Sequence, residues 1–224
     1  MDGKQVYELL RRHGVDALHH ANSVTTSCSL LSVGGLASRK HLEQRGLPQT
    51  GQSSDATDKK YGIWNDVFTD LCDIHARVSN RIYYGPVLFV LKAAILLDLP
   101  RGTDILITKT NAQYWKDQDP QGSRYFNSIE EFRANIDRYD FGQSITFRNQ
   151  NGLIPFGNNL TGLLIDDPQL QLDNTDVFER ATDKLKRAAR GVRPAIRLDR
   201  RQCAQSCACR DWYQRHMGFV RTMF

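Results

Sequence analysis

The predicted fold is decided by the stretch Leu18-His19-His20-Ala21-Asn22, which is followed twelve residues later by Gly34-Gly35-Leu36-Ala37-Ser38-Arg39. The residues before His20 read as the end of a strand, and the stretch from Ser23 to Leu31 reads as a helix with a serine N-cap and a terminal glycine pair. The unit is therefore strand, polar loop, short helix and glycine turn. Such a loop places one imidazole and several backbone groups beside a cleft, which suits binding of a ribose hydroxyl and a planar amide.

The residues alone leave a second interpretation of this stretch open. Most histidines at strand ends are surface or packed residues, and a glycine pair after a helix is a common C-terminal cap. His20 by itself therefore does not establish a binding site.

The whole run resembles the opening motif of the ADP-ribosyltransferase fold, especially its DarT-like branch, whose members modify nucleic acid. In that motif a histidine follows an aromatic residue, and a helix leads to Gly-Leu-small-Ser-Arg; here His19 takes the aromatic position. The resemblance is clearest over residues 17–39 and extends more loosely over 66–91 and 144–165. It implies an α+β fold, with an ADP-ribosyltransferase-like split β-sheet core and flanking helices.

The resemblance also implies NAD as a substrate and assigns residues to it. His20 would bind a ribose hydroxyl, the backbone of the motif would meet the nicotinamide amide, and Tyr84 or Phe89 would line the pocket. The residues implied to bind NAD are His20, Ala21, Asn22, Gly35, Leu36, Tyr84 and Phe89.

This chain has no glutamate at the position where the fold carries its catalytic acid. Members of the fold carry a glutamate at the start of a late strand, where this chain has Gln143. We predict catalytic roles for His20 and Gln143, and for His75 and Arg77, because an alternating strand over 70–77 would put Asp73, His75 and Arg77 on one face. Either Asp140 takes the acid's role, or His75 and Arg77 do, or the chain binds without catalysing.

Composition indicates a globular protein. The chain has 224 residues, 40% of them hydrophobic and 25% charged, and lacks an apolar run long enough to span a bilayer. Its N-terminus reads as an amphipathic helix over residues 2–13 rather than a signal peptide, so we expect a cytoplasmic protein with no membrane contact. An odd number of cysteines, five, agrees with reduced thiols.

The basic character lies at the C-terminal end. The net charge is +5, and residues 179–224 hold twelve Lys/Arg against four Asp/Glu. We therefore divide the chain into a catalytic domain, residues 1–175, and a basic helix with an Arg/Cys-rich tail, residues 176–224. Arginines interleaved with aromatic residues favour nucleic acid; an acidic partner such as an inhibitor protein, or a solvated helix face, is the alternative. The predicted nucleic-acid contacts are Arg190, Arg193, Arg197, Arg200 and Arg201.

The tail also contains Cys203, Cys207 and Cys209, with His216 beyond them. Thiolate and imidazole are zinc ligands, but this spacing is not that of a usual zinc knuckle. Zinc is therefore possible without being favoured, and we assign no metal ligands. The alternative is three thiols in an adaptable tail.

Further elements follow from periodicity and turn residues. We predict strands over 67–72, 84–91, 104–108 and 160–165 (the last), helices over 38–45, 111–115, 128–138 and 176–190, and a polar loop over 47–60 that covers a site. Asn149 to Gly152 predicts a tight turn that joins strands 144–148 and 153–156 in a hairpin.

These observations favour an NAD-dependent ADP-ribosyltransferase that modifies single-stranded DNA or RNA. In the resembling family, such enzymes act as toxins of bacterial toxin–antitoxin or phage-defence systems, silenced by an antitoxin or inhibitor protein. The alternative is a non-catalytic nucleic-acid-binding module with a degenerate transferase fold. A third reading keeps catalysis but changes the target to a protein side chain or a phosphorylated RNA end.

Overall fold

The computed structural model of this chain describes residues 1–77, 83–117, 120–136, 142–192, 194–201 and 207–224, and for residues 76, 77, 113 and 121 it describes the backbone alone. Arg193, Cys203 and Asp140, which the sequence analysis singled out, lie outside the described residues, and so does the side chain of Arg77.

A seven-stranded sheet forms the centre of the molecule, in the order β11-β8-β4-β1-β3-β6-β5. All its neighbouring strands are antiparallel except β11 and β8, which are parallel. The strands are β1 (Ala17–Asn22), β2 (Gly35–Ala37), β3 (Val67–Asp70), β4 (Val87–Lys92), β5 (Asp104–Ile107), β6 (Ser144–Arg148), β7 (Leu153–Pro155), β8 (Leu160–Ile165), β9 (Gln171–Leu172), β10 (Thr175–Asp176) and β11 (Arg197–Arg200). The apolar β4 lies between β8 and β1, as a strand buried on both faces should.

The helices flank this sheet, which confirms the predicted α+β class. They are α1 (Gly3–Arg12), α2 (Val24–Val33), α3 (Arg39–Gln44), α4 (Asp55–Lys60), α5 (Ile74–Arg77), α6 (Gln121–Arg124), α7 (Ile129–Arg133), α8 (Val177–Ala188), α9 (Ala208–Arg215) and α10 (Met217–Met223), with 3₁₀ turns at Ala93–Leu97, Ala112–Tyr114 and Ala189–Gly191. Ser23 caps α2 by accepting from the Thr26 amide, and Gly34 ends it in the left-handed conformation, as predicted.

The predicted hairpin between 144–148 and 153–156 is wrong. Both strands exist, but β6 pairs with β3 and β5, while β7 pairs with β2 in a separate two-stranded sheet. Gly152 does adopt a positive φ of 56°. The turn is therefore local, but the chain after it leaves the central sheet to pair with the segment that follows α2.

Three other element predictions need correction. The predicted loop over 47–60 contains α4 in its second half. The predicted strand over 70–77 ends at Asp70 and continues as α5, because the Asp73 carboxylate accepts from the His75 amide and so starts a helical turn. Strand 160–165 is not the last, since β11 follows it.

The segment 176–224 packs on the sheet formed by residues 1–175. β11 extends that sheet beside β8, and Tyr213 of α9 is fully buried in a core shared with β1, β4 and β8. Among the described residues, no helix combines the length and apolar character needed to cross a bilayer.

Candidate active site

A cavity of about 240 Å³ opens at the end of β1 and along the antiparallel β3. Its wall is formed by the end of β1, by β3, by residues 37–39 at the end of β2 and just after it, and by residues 52–58, which belong to the predicted covering loop. Thr108, Asn111 and Ser144 close it from the side of β5 and β6. The volume is slightly below the roughly 300–1,000 Å³ of typical small-molecule pockets, so it fits part of a dinucleotide.

His20 faces this cavity as a neutral imidazole. Its Nδ1 lies 2.9 Å from the carbonyl oxygen of Phe68, to which it donates, and the Asn22 amide donates to Nε2 at 3.3 Å. Burial lowers the pKa of His20, although the Phe68 carbonyl acts in the opposite direction. The ring is therefore held in one tautomer, with Nε2 as an acceptor.

The polar loop after β1 is fixed by hydrogen bonds to residues 50–52. The Ser23 hydroxyl donates to Thr50 Oγ1 at 2.7 Å, and the Thr50 amide donates to Thr26 Oγ1 at 2.9 Å. Asn22 Oδ1 accepts from the Ser23 amide at 3.0 Å. These contacts hold the cavity wall in place around His20.

Three carboxylates line the cavity, from Asp58, Asp66 and Asp70. Asp70 ends β3 and accepts from the Ser144 hydroxyl at 2.8 Å. Asp66 is buried and held by a two-pronged ion pair with Arg148, with distances of 2.7 and 3.0 Å. Burial raises the pKa of Asp58 to about 6.

Arg39 is the cation of the cavity wall. Its Nη2 donates to the Asp55 carboxylate at 2.8 Å and to the Thr50 carbonyl at 2.7 Å. Its Nε and Nη1 are buried and have no hydrogen-bond partner among the described residues. Both donors are covered by protein atoms, so an acceptor in the cavity reaches them only after a shift of the wall.

The residues predicted to bind NAD fall into two sets. His20, Ala21, Asn22 and Tyr84 line the cavity, whereas Gly35, Leu36 and Phe89 lie behind its wall.

Phe89 and Gly35 have supporting positions in the wall. Phe89 is fully buried, meets His20 edge to face at 6.1 Å and stacks on Phe156, so it supports the imidazole from behind. A side chain at Gly35 would place its Cβ 2.5 Å from the Ile154 carbonyl oxygen, so glycine permits the pairing of β2 with β7.

Of the other predicted catalytic residues, Gln143 and His75 are not among those that line the cavity, although their neighbours Ser144 and Ile74 are. Gln143 is buried, with its amide nitrogen 3.5 Å from the Asn135 carbonyl and its Oε1 without a partner among the described residues. His75 belongs to a group of charged and polar side chains that we call the Asp166 cluster. Its members are His75, Asp73, Asp166, Arg201 and Tyr213. Asp166 accepts from the Tyr213 hydroxyl at 2.6 Å, from Arg201 Nε at 2.7 Å and from His75 Nδ1 at 3.2 Å.

Arg201, predicted to contact nucleic acid, is instead an internal residue. Its side chain is 11% exposed and bridges Asp166 and Asp73, the latter at 2.5 Å. Burial alone would lower the pKa of Arg201, but the two carboxylates raise it. A guanidinium that is bonded to two carboxylates is not available to bind phosphates.

The other described arginines that were predicted to contact nucleic acid, Arg190, Arg197 and Arg200, lie at the surface. Arg190 is exposed, Arg197 pairs with Asp199, and Arg200 pairs with Asp167 and Glu179 while its guanidinium lies over the Phe178 ring.

The sequence analysis missed Arg39, Asp70 and Ser144 as site residues. Arg39 belongs to the quoted motif, so its position was a usable signal. Asp70 and Ser144 meet only because β3 and β6 pair in this register, which no local pattern reveals.

The sequence matches no protein-family model and no curated protein. Among solved structures, the chain is similar to Thermus sp. 2.9 DarT in complex with ADP-ribosylated ssDNA, with a TM-score of 0.53 and 12% identity over 89% of this chain and 97% of that chain. The same protein in complex with NAD⁺ gives a TM-score of 0.49, 12% identity, and coverage of 89% and 98%. Thermosipho africanus DarTG in complex with ADP-ribose gives 0.49, 13% identity, and coverage of 83% and 50%.

Proposed function

We propose that this chain, which has a DarT-like ADP-ribosyltransferase fold, is an NAD-dependent ADP-ribosyltransferase that modifies a base of single-stranded nucleic acid. The observation that carries the proposal is the neutral His20 with its single tautomer, facing a cavity lined by carboxylates and an arginine with unpaired donors. A solved structure of similar fold holds ADP-ribosylated ssDNA, which makes single-stranded DNA the first substrate to test.

The reaction breaks the bond between the nicotinamide nitrogen and the ribose. Nicotinamide leaves with the bonding electrons, a base nitrogen of the acceptor attacks the anomeric carbon, and the base then loses a proton. His20 Nε2 accepts from the Asn22 amide at 3.3 Å, and a ribose hydroxyl that replaces this donor would free the amide for the nicotinamide carbonyl oxygen. Tyr84 supplies an aromatic wall.

Asp70 is our candidate for the carboxylate that stabilises the positive charge on the ribose. Preorganised charge aimed at the transition state is usually the largest catalytic contribution. The Ser144 hydroxyl orients this carboxylate, and Ser144 starts the strand that follows Gln143. Asp70 therefore lies on β3 beside the start of β6. The family resemblance placed a glutamate at the start of that strand.

Arg39 is suited to the pyrophosphate of NAD. Its Asp55 ion pair and Thr50 contact, both made by Nη2, fix the guanidinium plane, and Nε and Nη1 remain as donors to two separate phosphate oxygens.

The nucleic acid would approach over exposed aromatic and basic side chains. Tyr83 lines the cavity, is 45% exposed, and packs edge to face against Trp212 and Phe219 of the C-terminal helices. Arg190, Arg197 and Arg200 add positive charge to the same C-terminal segment. Base stacking with phosphate neutralisation is the usual mode of single-strand binding.

The proposal is tested with NAD and pools of single-stranded DNA and RNA, analysed by mass spectrometry. We expect a mass increase of one ADP-ribose unit on the oligonucleotide and none with His20→Ala. The matched control is His13→Ala at the end of α1, outside the cavity wall, which should retain activity.

Three outcomes would contradict or redirect the proposal. Unmodified oligonucleotides in both pools would contradict it. Binding that falls steeply with salt and ignores NAD would favour the non-catalytic module. Modification of a protein or a phosphorylated RNA end would keep the chemistry and replace the target.

We further propose a toxic role that an inhibitor protein silences. Induced expression in bacteria should arrest growth, His20→Ala should abolish the arrest, and an arrest that persists in this variant would separate toxicity from the cavity.

A further inference from the structure

Next to the Asp166 cluster, three potential metal ligands from two distant segments meet. Cys207 Sγ lies 3.5 Å from His75 Nε2 and 3.1 Å from Cys209 Sγ, and the three ligand atoms all lie within 4.8 Å of one another. His75 belongs to α5, whereas the two cysteines lie at the start of α9. We propose that His75, Cys207 and Cys209 form a zinc site that fixes the C-terminal helices to the sheet.

The donor chemistry selects zinc. Thiolates and imidazoles are the usual ligands of zinc in proteins and poor ligands for magnesium or calcium, which take oxygen. Tetrahedral coordination with bonds of about 2.0–2.3 Å separates ligand atoms by roughly 3.5–3.8 Å. The distance from His75 Nε2 to Cys207 Sγ already fits, the two sulfurs need to move apart by about 0.7 Å, and Cys209 Sγ lies within 4.8 Å of the imidazole. Water or one further donor completes the four positions.

The surroundings of His75 prepare it for this role. Its Nδ1 is hydrogen-bonded to the Asp166 carboxylate, which leaves Nε2 directed at the cysteines. A carboxylate behind a metal-binding histidine is the usual arrangement around zinc, since it fixes the ring and strengthens the donor. Asp166 is itself held by Arg201 and Tyr213, so the support is rigid.

Burial and helix position also favour the bound state. Cys209 is 2% exposed, and the His75 side chain is 10% exposed. Cys207 is the N-cap residue of α9 and Cys209 follows in its first turn, where the helix dipole favours negative charge. Zinc would bind with release of the two thiol protons, so the thiolate charges balance the ion.

The trailing His216 of the sequence motif is not in this group. It stacks on Trp212 at 3.5 Å and its Nδ1 contacts the Trp212 carbonyl oxygen at 2.8 Å. The histidine comes instead from more than a hundred residues earlier, which is why the motif lacks the spacing of a zinc knuckle.

The test measures metal in the full chain, purified in a phosphine reductant without added chelator. We expect about one zinc per chain by elemental analysis. Cobalt added to the chelator-stripped protein should give thiolate-to-metal charge-transfer absorption, and zinc should displace it. The double variant Cys207→Ser/Cys209→Ser should lose both signals, and His75→Ala should weaken zinc binding at least tenfold.

The matched control is Cys28→Ser, a half-buried cysteine of α2, which should bind zinc as the parent chain does. Because the double variant can fail to fold, the cobalt spectrum of the unsubstituted chain decides independently. No zinc and no charge-transfer band overturn the proposal, as does zinc retained by a folded double variant. A Cys207–Cys209 disulfide without metal affinity after reduction also overturns it.

Discussion

The cavity and the Asp166 cluster are two polar regions reached from adjacent residues of one strand. Side chains alternate along β1, so His20 faces the cavity while His19 turns towards Asp73 and Arg201. In the cavity, charged groups keep unused capacity: Arg39 has two unpaired donors. In the cluster, Asp166 is met by an arginine, a histidine and a tyrosine at once.

This difference indicates that the cavity is suited to bind a ligand and that the Asp166 cluster stabilises the fold. A buried polar atom without a partner costs roughly 1–3 kcal/mol, and a ligand that supplies the partner recovers that cost. In the Asp166 cluster, the Asp166 carboxylate already accepts from three donors, so it has little capacity to bind a substrate. Substitutions in the cavity should therefore change catalysis and NAD binding, and substitutions in the cluster should change folding.

The largest effect should follow Asp70→Asn in the cavity. Loss of the carboxylate removes charge stabilisation from the transition state, so we expect kcat/KM to fall about 100- to 1,000-fold, or roughly 3–4 kcal/mol in the barrier. The amide can still accept from the Ser144 hydroxyl, so folding should change little. Rates come from single-turnover modification of an oligonucleotide, and unfolding from urea titration.

The control for Asp70 is Asp104→Asn on the exposed start of β5, expected to react like the parent chain. Parent-like activity of Asp70→Asn would remove this carboxylate from the mechanism. A large loss of stability would instead place Asp70 with the structural residues and weaken the distinction between the two regions.

Asp166→Asn should lower the free energy of unfolding by about 3 kcal/mol. The substitution keeps the shape of the side chain but leaves Arg201 with only Asp73 as a buried counter-charge. Urea titration in the presence of a chelator excludes any contribution from metal. The neighbouring Asp167→Asn should cost less than about 1 kcal/mol, because its partner Arg200 is 46% exposed. Equal losses of unfolding free energy for the two variants would show that Asp166 stabilises the fold no more than Asp167 does.

Arg39→Lys should raise the Kd for NAD about tenfold, close to 1.4 kcal/mol. Lysine keeps the charge but lacks the fixed pair of donors that a pyrophosphate would use. Calorimetric titration with NAD measures the change, and Arg45→Lys, an exposed arginine at the end of the same helix, serves as the control. An unchanged Kd would show that the two unpaired donors are not part of the NAD site.

The sequence predicted the parts of this comparison that are encoded locally. The serine cap and the glycine end of α2 fix the loop around His20, and both depend on residues within a few positions of one another. The apolar run of β4 likewise specifies a buried strand by itself. These signals located the cavity's main histidine.

Long-range pairing was beyond local patterns. The Asn-Gly turn after β6 suggested a hairpin, but β7 gains its partner from β2, more than a hundred residues earlier. The Asp70–Ser144 contact also depends on strand register, so attention fell on Gln143 instead. Alternation over 70–77 misassigned a short helix as strand, because the Asp73 carboxylate starts a helical turn there.

The smallest predicted effect concerns the pH dependence that Asp58 gives the cavity. Its pKa is raised from 3.8 to about 6 by burial, so between these values the unfolded chain has released a proton that the folded chain retains. Stability should therefore fall as pH rises from 4 to 6, by roughly 1 kcal/mol after allowance for partial exposure. Asp58→Asn should flatten this part of the profile.

Urea titrations at pH 4, 5, 6 and 7 measure the Asp58 contribution, with Asp183→Asn on the exposed face of α8 as the control. Two profiles of equal slope for the parent chain and Asp58→Asn would show that the cavity does not strain this carboxylate. A flatter profile for the variant would mean that the cavity holds a charge the folded chain leaves incompletely compensated. In the Asp166 cluster, by contrast, the buried carboxylate is met by three partners.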